Sequence, residues 1–327
     1  AIKKWGTREC LSSSSSSSHG GGGYYGPGSP SLWGNSNYDG YYRIDDMDDP
    51  AKFCDQVLND DDDNDEDGGE DPETIPCDDE DGPVLNYKLV SKDKKTMRGV
   101  ASDGVSQVII VFDKDSKIPE GCDSWSCHWS LENDNGKIGK LDNTESWSDV
   151  IYTAPEDFPN ESGSEMTITA KIDVYKEGVH QFSVPQEIVL TRVPLVLLHG
   201  LGDNATCWQS LKSKLINNGI YQEYQILNNP YVQTNTAAFK VNQSIATKRV
   251  SEIKSLYSRN KVVAEKVDLV GHSMGGILSR LHVQYEPNGT DDVHKLITVN
   301  TPHSGSEVGD FVAAHGWAQY IAKKWQY

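Results

Sequence analysis

Ser273 stands in the run Gly271-His272-Ser273-Met274-Gly275-Gly276, whose G-x-S-x-G spacing suits a nucleophilic hydroxyl. A serine can attack only from a turn sharp enough to expose it, and glycines at 271 and 275 leave room for that turn. A second group, His199-Gly200-Leu201-Gly202, stands at the end of an apolar run upstream. A third, Thr301-Pro302-His303-Ser304-Gly305-Ser306, lies further along the chain. The spacing at Ser273 also arises by chance, and a serine before a helix is commonly just its N-cap. The extra Gly276 and the His199-Gly200 loop weigh against the capping reading.

These groups need elements to hold them. Lys266-Val267-Asp268-Leu269-Val270 and Val193-Pro194-Leu195-Val196-Leu197-Leu198 are short apolar runs of the kind buried on both faces of a parallel sheet. Lys295-Leu296-Ile297-Thr298-Val299-Asn300 is a third such strand, and Ile277 to Val283 has helical spacing. Further helices are predicted over Cys207–Asn217, Ala237–Tyr257 and Glu307–Trp325, with a strand near Tyr224–Leu227. In the second helix Val241, Ile245, Val250, Ile253 and Leu256 form a core-facing stripe. Alternating strands and helices imply a parallel sheet, with Ser273 at its carboxyl edge, where ligands usually bind.

With these motifs in this order, the segment from Val193 onward resembles an α/β-hydrolase of the lipase/esterase kind. The T-P-H-x-G-S stretch is similar to the one after the nucleophile helix in bacterial triacylglycerol lipases. The resemblance implies Ser273 as nucleophile, with the backbone amides of Leu201 and Met274 as oxyanion donors. His199, Gly200, Gly271, His272 and Gly275 would support the elbow and loop, with His199 bonding backbone and His272 packing. Asp203 is expected to cap the helix that comes after it. The implied reaction is ester hydrolysis through an acyl-enzyme, on an ester or lipid substrate, with no cofactor and no metal.

The family also needs an acid and then a histidine after the serine. Beyond the Thr301-Pro302 strand only His303 and His315 remain; His303 is expected to order its loop, and His315 lies in a predicted helix. Glu307 and Asp310, within or beside that helix, are poorly placed to be the acid. Base and acid stay unassigned and are expected beyond Tyr327, so the hydrolase sheet is read as C-terminally truncated. Two other readings stay open. One is a thioesterase, amidase or deacylase on the same fold; the other is a non-catalytic surface adhesion or binding protein with a degenerate hydrolase fold.

The rest of the chain divides by composition. Residues 1–82 hold a Ser/Gly-rich stretch and an acidic run from Asn59 to Asp67, which self-repels and is expected to be a disordered, solvated linker. Asp63, Asp65, Asp67 and Gly68 match the start of a calcium loop, but Thr74 stands where its glutamate belongs. Residues 83–192 carry short alternating strands, which suggests a β-sandwich. Ser102-Asp103-Gly104-Val105-Ser106, Trp129 and Tyr152-Thr153-Ala154-Pro155 resemble a bacterial Ig-like repeat of surface proteins. That resemblance implies a spacer or adhesive module with cell-surface or matrix contacts. Residues 193–327 are the hydrolase portion.

A net charge of -19 argues against nucleic acid and anionic membrane surfaces as partners. Local disulfides Cys54–Cys77 and Cys122–Cys127 would suit an oxidising compartment, so the chain is expected to be secreted or on a bacterial cell surface. Cys10 and Cys207 have no evident partner.

Overall fold

The computed structural model describes residues 71–228 apart from 80 and 120, together with residues 242, 244–307 and 314. Residues 1–70 of the expected linker, among them Cys10, Cys54 and Asp63 to Asp67, lie outside the described residues, as do Asp310 and His315. Residues 69–327 make one compact unit.

Its first half is all strand: β1 (Glu73–Thr74), β2 (Tyr87–Val90), β3 (Thr96–Met97), β4 (Gly99–Ala101), β5 (Gln107–Phe112) and β6 (Lys117–Ile118). Next come β7 (Trp125–Leu131), β8 (Lys140–Leu141), β9 (Val150–Thr153), β10 (Glu165–Lys176) and β11 (Val179–Thr191). The second half alternates: β12 (Leu195–Leu198), α1 (Gln209–Asn217), β13 (Ile226–Leu227), α2 (Ile245–Arg259), β14 (Val262–Val263), β15 (Val267–His272), α3 (Met274–Tyr285) and β16 (Val293–Val299).

The first half folds as two five-stranded sheets, ordered β3-β2-β5-β9-β8 and β14-β4-β11-β10-β7, around a shared apolar core. Alternation decides this: β5 and most of β10 bury every second residue, so each sheet has one face to cover and covers it with the other. Trp129 and Tyr152 lie fully inside. The order of the second sheet holds a surprise, because β14 belongs by sequence to the hydrolase portion. It pairs in parallel with β4, Val262 opposite Gly99 and Val263 opposite Val100.

The cysteine pairing differs from both local expectations. Cys77 is bonded to Cys122, and Cys127 is a buried free thiol pushed up to about 12, chiefly by burial. The reason is strand pairing. β1 runs parallel to β6, which carries Cys77 to the turn holding Cys122, while alternation along β7 turns Cys127 into the core. Cys207 is free and exposed.

The strands of the second half form a four-stranded parallel sheet in the order β13-β12-β15-β16. Strand β12 is buried at all four residues, as a strand covered on both faces must be. Trp208, Leu215 and Ile216, on and just before α1, pack on one face, against Leu195, Leu197, Ile226 and Val270. On the other face α2 and α3 pack against Val196, Leu198, Val267 and Leu269. From β12 the chain moves to β13 on one side and from β15 to β16 on the other, so the strand order reverses between these two neighbours.

Candidate active site

Ser273 comes directly after β15 and has φ +52° and ψ −120°, a left-handed conformation that a non-glycine residue adopts only where its surroundings impose it. Its amide donates to Val299 O at 2.9 Å, which ties the turn to β16. Ser273 occupies the N-cap position of α3, yet its side chain makes no capping hydrogen bond. A serine kept only as a cap would use its oxygen on the helix amides. Among the described residues this one leaves the oxygen uncommitted.

The neighbouring glycines explain the tightness. A Cβ on Gly271 would come within 2.4 Å of Gly276 N, and one on Gly275 within 2.4 Å of Leu198 O. On Gly276 it would lie 2.0 Å from Thr301 Oγ1. Nothing in the sequence marks Thr301 as a site residue beyond its place in the Thr-Pro motif; its packing against Gly276 joins that third motif to the elbow. A Cβ on Gly200 would lie 2.9 Å from Ser273 Cβ and 3.1 Å from His272 Nδ1. The His199-Gly200 loop after β12 therefore touches the elbow after β15. Among the described residues, neither the Leu201 nor the Met274 amide donates a hydrogen bond to the protein.

The histidines fall into place by their partners. His199 is buried, its Nδ1 lies 3.0 Å from Gly200 O, and burial, the main influence, holds its pKa below the ordinary 6.5. An Arg280 N–H donates to His303 Nδ1 at 3.1 Å, which leaves Nε2–H to donate to Thr298 Oγ1 at 3.1 Å. Both nitrogens of His303 are thus occupied, one by Arg280 of α3 and the other by Thr298 of β16. His282 on α3 is buried with Nδ1 3.1 Å from Thr247 Oγ1, and burial likewise lowers its pKa. Half-buried His272 stands next to the Gly200 loop. Among the described residues no histidine is hydrogen-bonded to Ser273. Glu307 is exposed.

Two features depart from sequence expectation. The turn after the Gly200 loop is capped by Asn204, whose side chain accepts from Thr206 N, while Asp203 accepts from Asn204 N and is not the residue that caps the turn. An Asp–His pair also exists that the sequence did not suggest: His294 Nδ1 lies 2.9 Å from Asp268 Oδ1. Its chemistry resembles half of a catalytic relay, but it sits at the entry of β15, at the opposite end of the strand from Ser273. Among the described residues no cluster of three or more His, Cys, Asp or Glu side chains is placed to hold a metal ion. No described helix is long and apolar enough to cross a membrane.

Comparison with known proteins agrees with this layout. Residues 189–313 match the family model of the PGAP1-like alpha/beta domain. Triacylglycerol lipase 2 of Saccharomyces cerevisiae is 38% identical over 61 residues, which are 19% of this chain and 18% of that protein. A triacylglycerol lipase of Pseudarthrobacter phenanthrenivorans is 29% identical over 128 residues, 37% of each chain. One from Burkholderia plantarii is 29% identical over 128 residues, covering 37% of this chain and 33% of its own. The chain thus spans between 18% and 37% of the length of these relatives. These similarities support placing residues 189–313 with the α/β-hydrolase, lipase-like superfamily.

Proposed function

We propose that this chain carries the nucleophile and oxyanion donors of a serine carboxylic-ester hydrolase of the lipase/esterase kind. The observation that carries the reading is Ser273 itself: a strained, uncapped serine at the carboxyl edge of a parallel sheet, against a loop with an undonated amide. Ser273 Oγ attacks the ester carbonyl and loses its proton to a general base. The Leu201 and Met274 amides hold the oxyanion; the alcohol leaves with a proton, and water then releases the acid from the acyl-enzyme. Each amide is worth about 3–4 kcal/mol of barrier. The histidine base and its acid partner are not assigned to any residue of this chain. The Cys77–Cys122 bond supports an extracytoplasmic location, and the two-sheet half with its buried Trp129 supports kinship with Ig-like modules.

The test is Ser273→Ala in the intact protein, assayed on p-nitrophenyl esters of graded acyl length, with matched thioesters and amides. Turnover should fall by roughly 10⁴- to 10⁶-fold, labelling by a fluorophosphonate should vanish, and melting should be unchanged. A variant that hydrolyses esters at the parent rate would sink the mechanism. An intact parent inert toward every substrate and unlabelled by the probe would favour a binding protein instead.

A further inference from the structure

The strand that carries Ser273 is entered through residues that the two-sheet half holds. Arg98 N donates to Lys261 O at 2.7 Å and Arg98 Nε to Asn260 O at 2.9 Å, and β14 then lies along β4. The same Arg98 reaches Glu165 with both terminal nitrogens, and Tyr224 Oη donates to Glu165 Oε1 at 2.6 Å. Residues from both halves therefore share one ion pair beside the entry.

Past β14 the chain meets Asp103, from the loop after β4. Asp103 is 1% exposed and carries no ion pair among the described residues. Its Oδ1 accepts from Val105 N at 3.0 Å and Ser106 N at 2.7 Å. Its Oδ2 accepts from Ser106 Oγ at 2.7 Å, Lys266 N at 2.9 Å and Glu265 N at 3.1 Å. Glu265 N is also 2.9 Å from Ser106 Oγ. A buried carboxylate met only by N–H and O–H donors tolerates little displacement, because any donor that moves away leaves charge uncompensated. Lys266 is the residue immediately before β15.

We propose that Asp103 is a positioning residue for Ser273. Clamped at Glu265 and Lys266, β15 has a fixed height beside β12, and that height sets how Ser273 meets the His199-Gly200 loop. The two loops approach closely, since a Cβ added at Gly200 would lie 2.9 Å from Ser273 Cβ. The two-sheet half is then part of the reacting assembly, in place of a spacer. This inference rests on the ester-hydrolase reading for its kinetic part only.

The test is Asp103→Asn, which keeps the shape but replaces one acceptor oxygen with a donor, so that one pair of amides faces an NH2 group. Ser106→Ala is the milder companion. Three quantities are read on the intact protein: kcat and KM for an ester per folded molecule, the fluorophosphonate labelling rate, and hydrogen exchange over residues 262–273. In Asp103→Asn, kcat and labelling should fall by about 10- to 100-fold with KM within about twofold. Exchange should quicken over 262–273 while β5 and β10 stay protected. Ser106→Ala should move the same way by less, and it decides the matter if Asp103→Asn does not fold. The proposal is overturned if the folded variants keep parental kcat and exchange, or if they melt earlier with kcat per folded molecule intact. If the parent itself proves inert toward esters, the function fails separately, and the exchange data alone decide whether Asp103 holds β15.

Discussion

Strand β15 joins two ends of opposite character. At its entry the carboxylates have partners: buried Asp103 takes five N–H and O–H donors, and half-buried Asp268 meets His294 at 2.9 Å. At its exit the backbone is strained at Ser273, the serine side chain caps nothing, and the Leu201 and Met274 amides donate to no described residue. Satisfied polar groups hold a structure, whereas unsatisfied donors beside a strained residue are free to hold something else. By side-chain chemistry alone the entry, with its Asp–His pair, looks the more catalytic of the two. The hydrogen-bond accounts reverse that impression.

The contrast can be broken most forcefully at the exit. Gly276→Val would drive a side chain into Thr301, whose Oγ1 lies 2.0 Å from the Cβ position. The expected cost is about 1–3 kcal/mol in urea denaturation and a fall in turnover on the order of 100-fold. Parental turnover in the folded variant would mean that the elbow is not under constraint.

At the entry the corresponding change is mild. Burial, the largest influence, holds the Asp268 carboxyl above its ordinary range even beside His294 and Lys295, so the fold does not favour its ionised form. Asp268→Asn keeps an acceptor for His294 and should cost about 1 kcal/mol or less, with kcat per folded molecule unchanged. A large loss of kcat would assign the pair to the chemistry and collapse the comparison.

The smallest effect comes from pH. Burial holds His199 and His282 below the ordinary 6.5, so the folded protein keeps both neutral. The unfolded chain takes up protons first; stability is therefore complete above about 6.5 and declines as pH falls below it. Thermal melts should drop between pH 7 and pH 5.5, above the range where Glu165, whose pKa is lowered, becomes protonated. A Tm that is flat or rising over that interval would contradict the burial of these two rings as neutral groups.

The same physics decides which parts of the fold are legible in the chain. Strands β12 and β15 announce themselves because burial on both faces demands unbroken apolar runs, and the elbow shows because its glycines are sterically compelled. Alternation makes β5 and β10 visible. By contrast β14 is two valines whose partner is β4, far away in the chain, and no local pattern marks such a pairing. Asp103 stands out within its loop, but its donors at Glu265 and Lys266 are backbone amides, which any residue type could supply. The disulfide is hidden because it depends on β1 lying along β6. No base or acid is read from the sequence, and among the described residues no histidine bonds Ser273.

The pairing of β14 with β4 also bears on how the protein is made. During synthesis the strands of the two-sheet half emerge first, while β4 waits for an edge partner that is translated only after α2. Until then the sheet offers a row of unsatisfied amides and carbonyls beside the fully buried Val100 and Ala101, the kind of edge that recruits other nascent chains. The last sheet contact to form in the first half of the molecule therefore depends on the second, and truncating the chain before Val262 would leave that edge open.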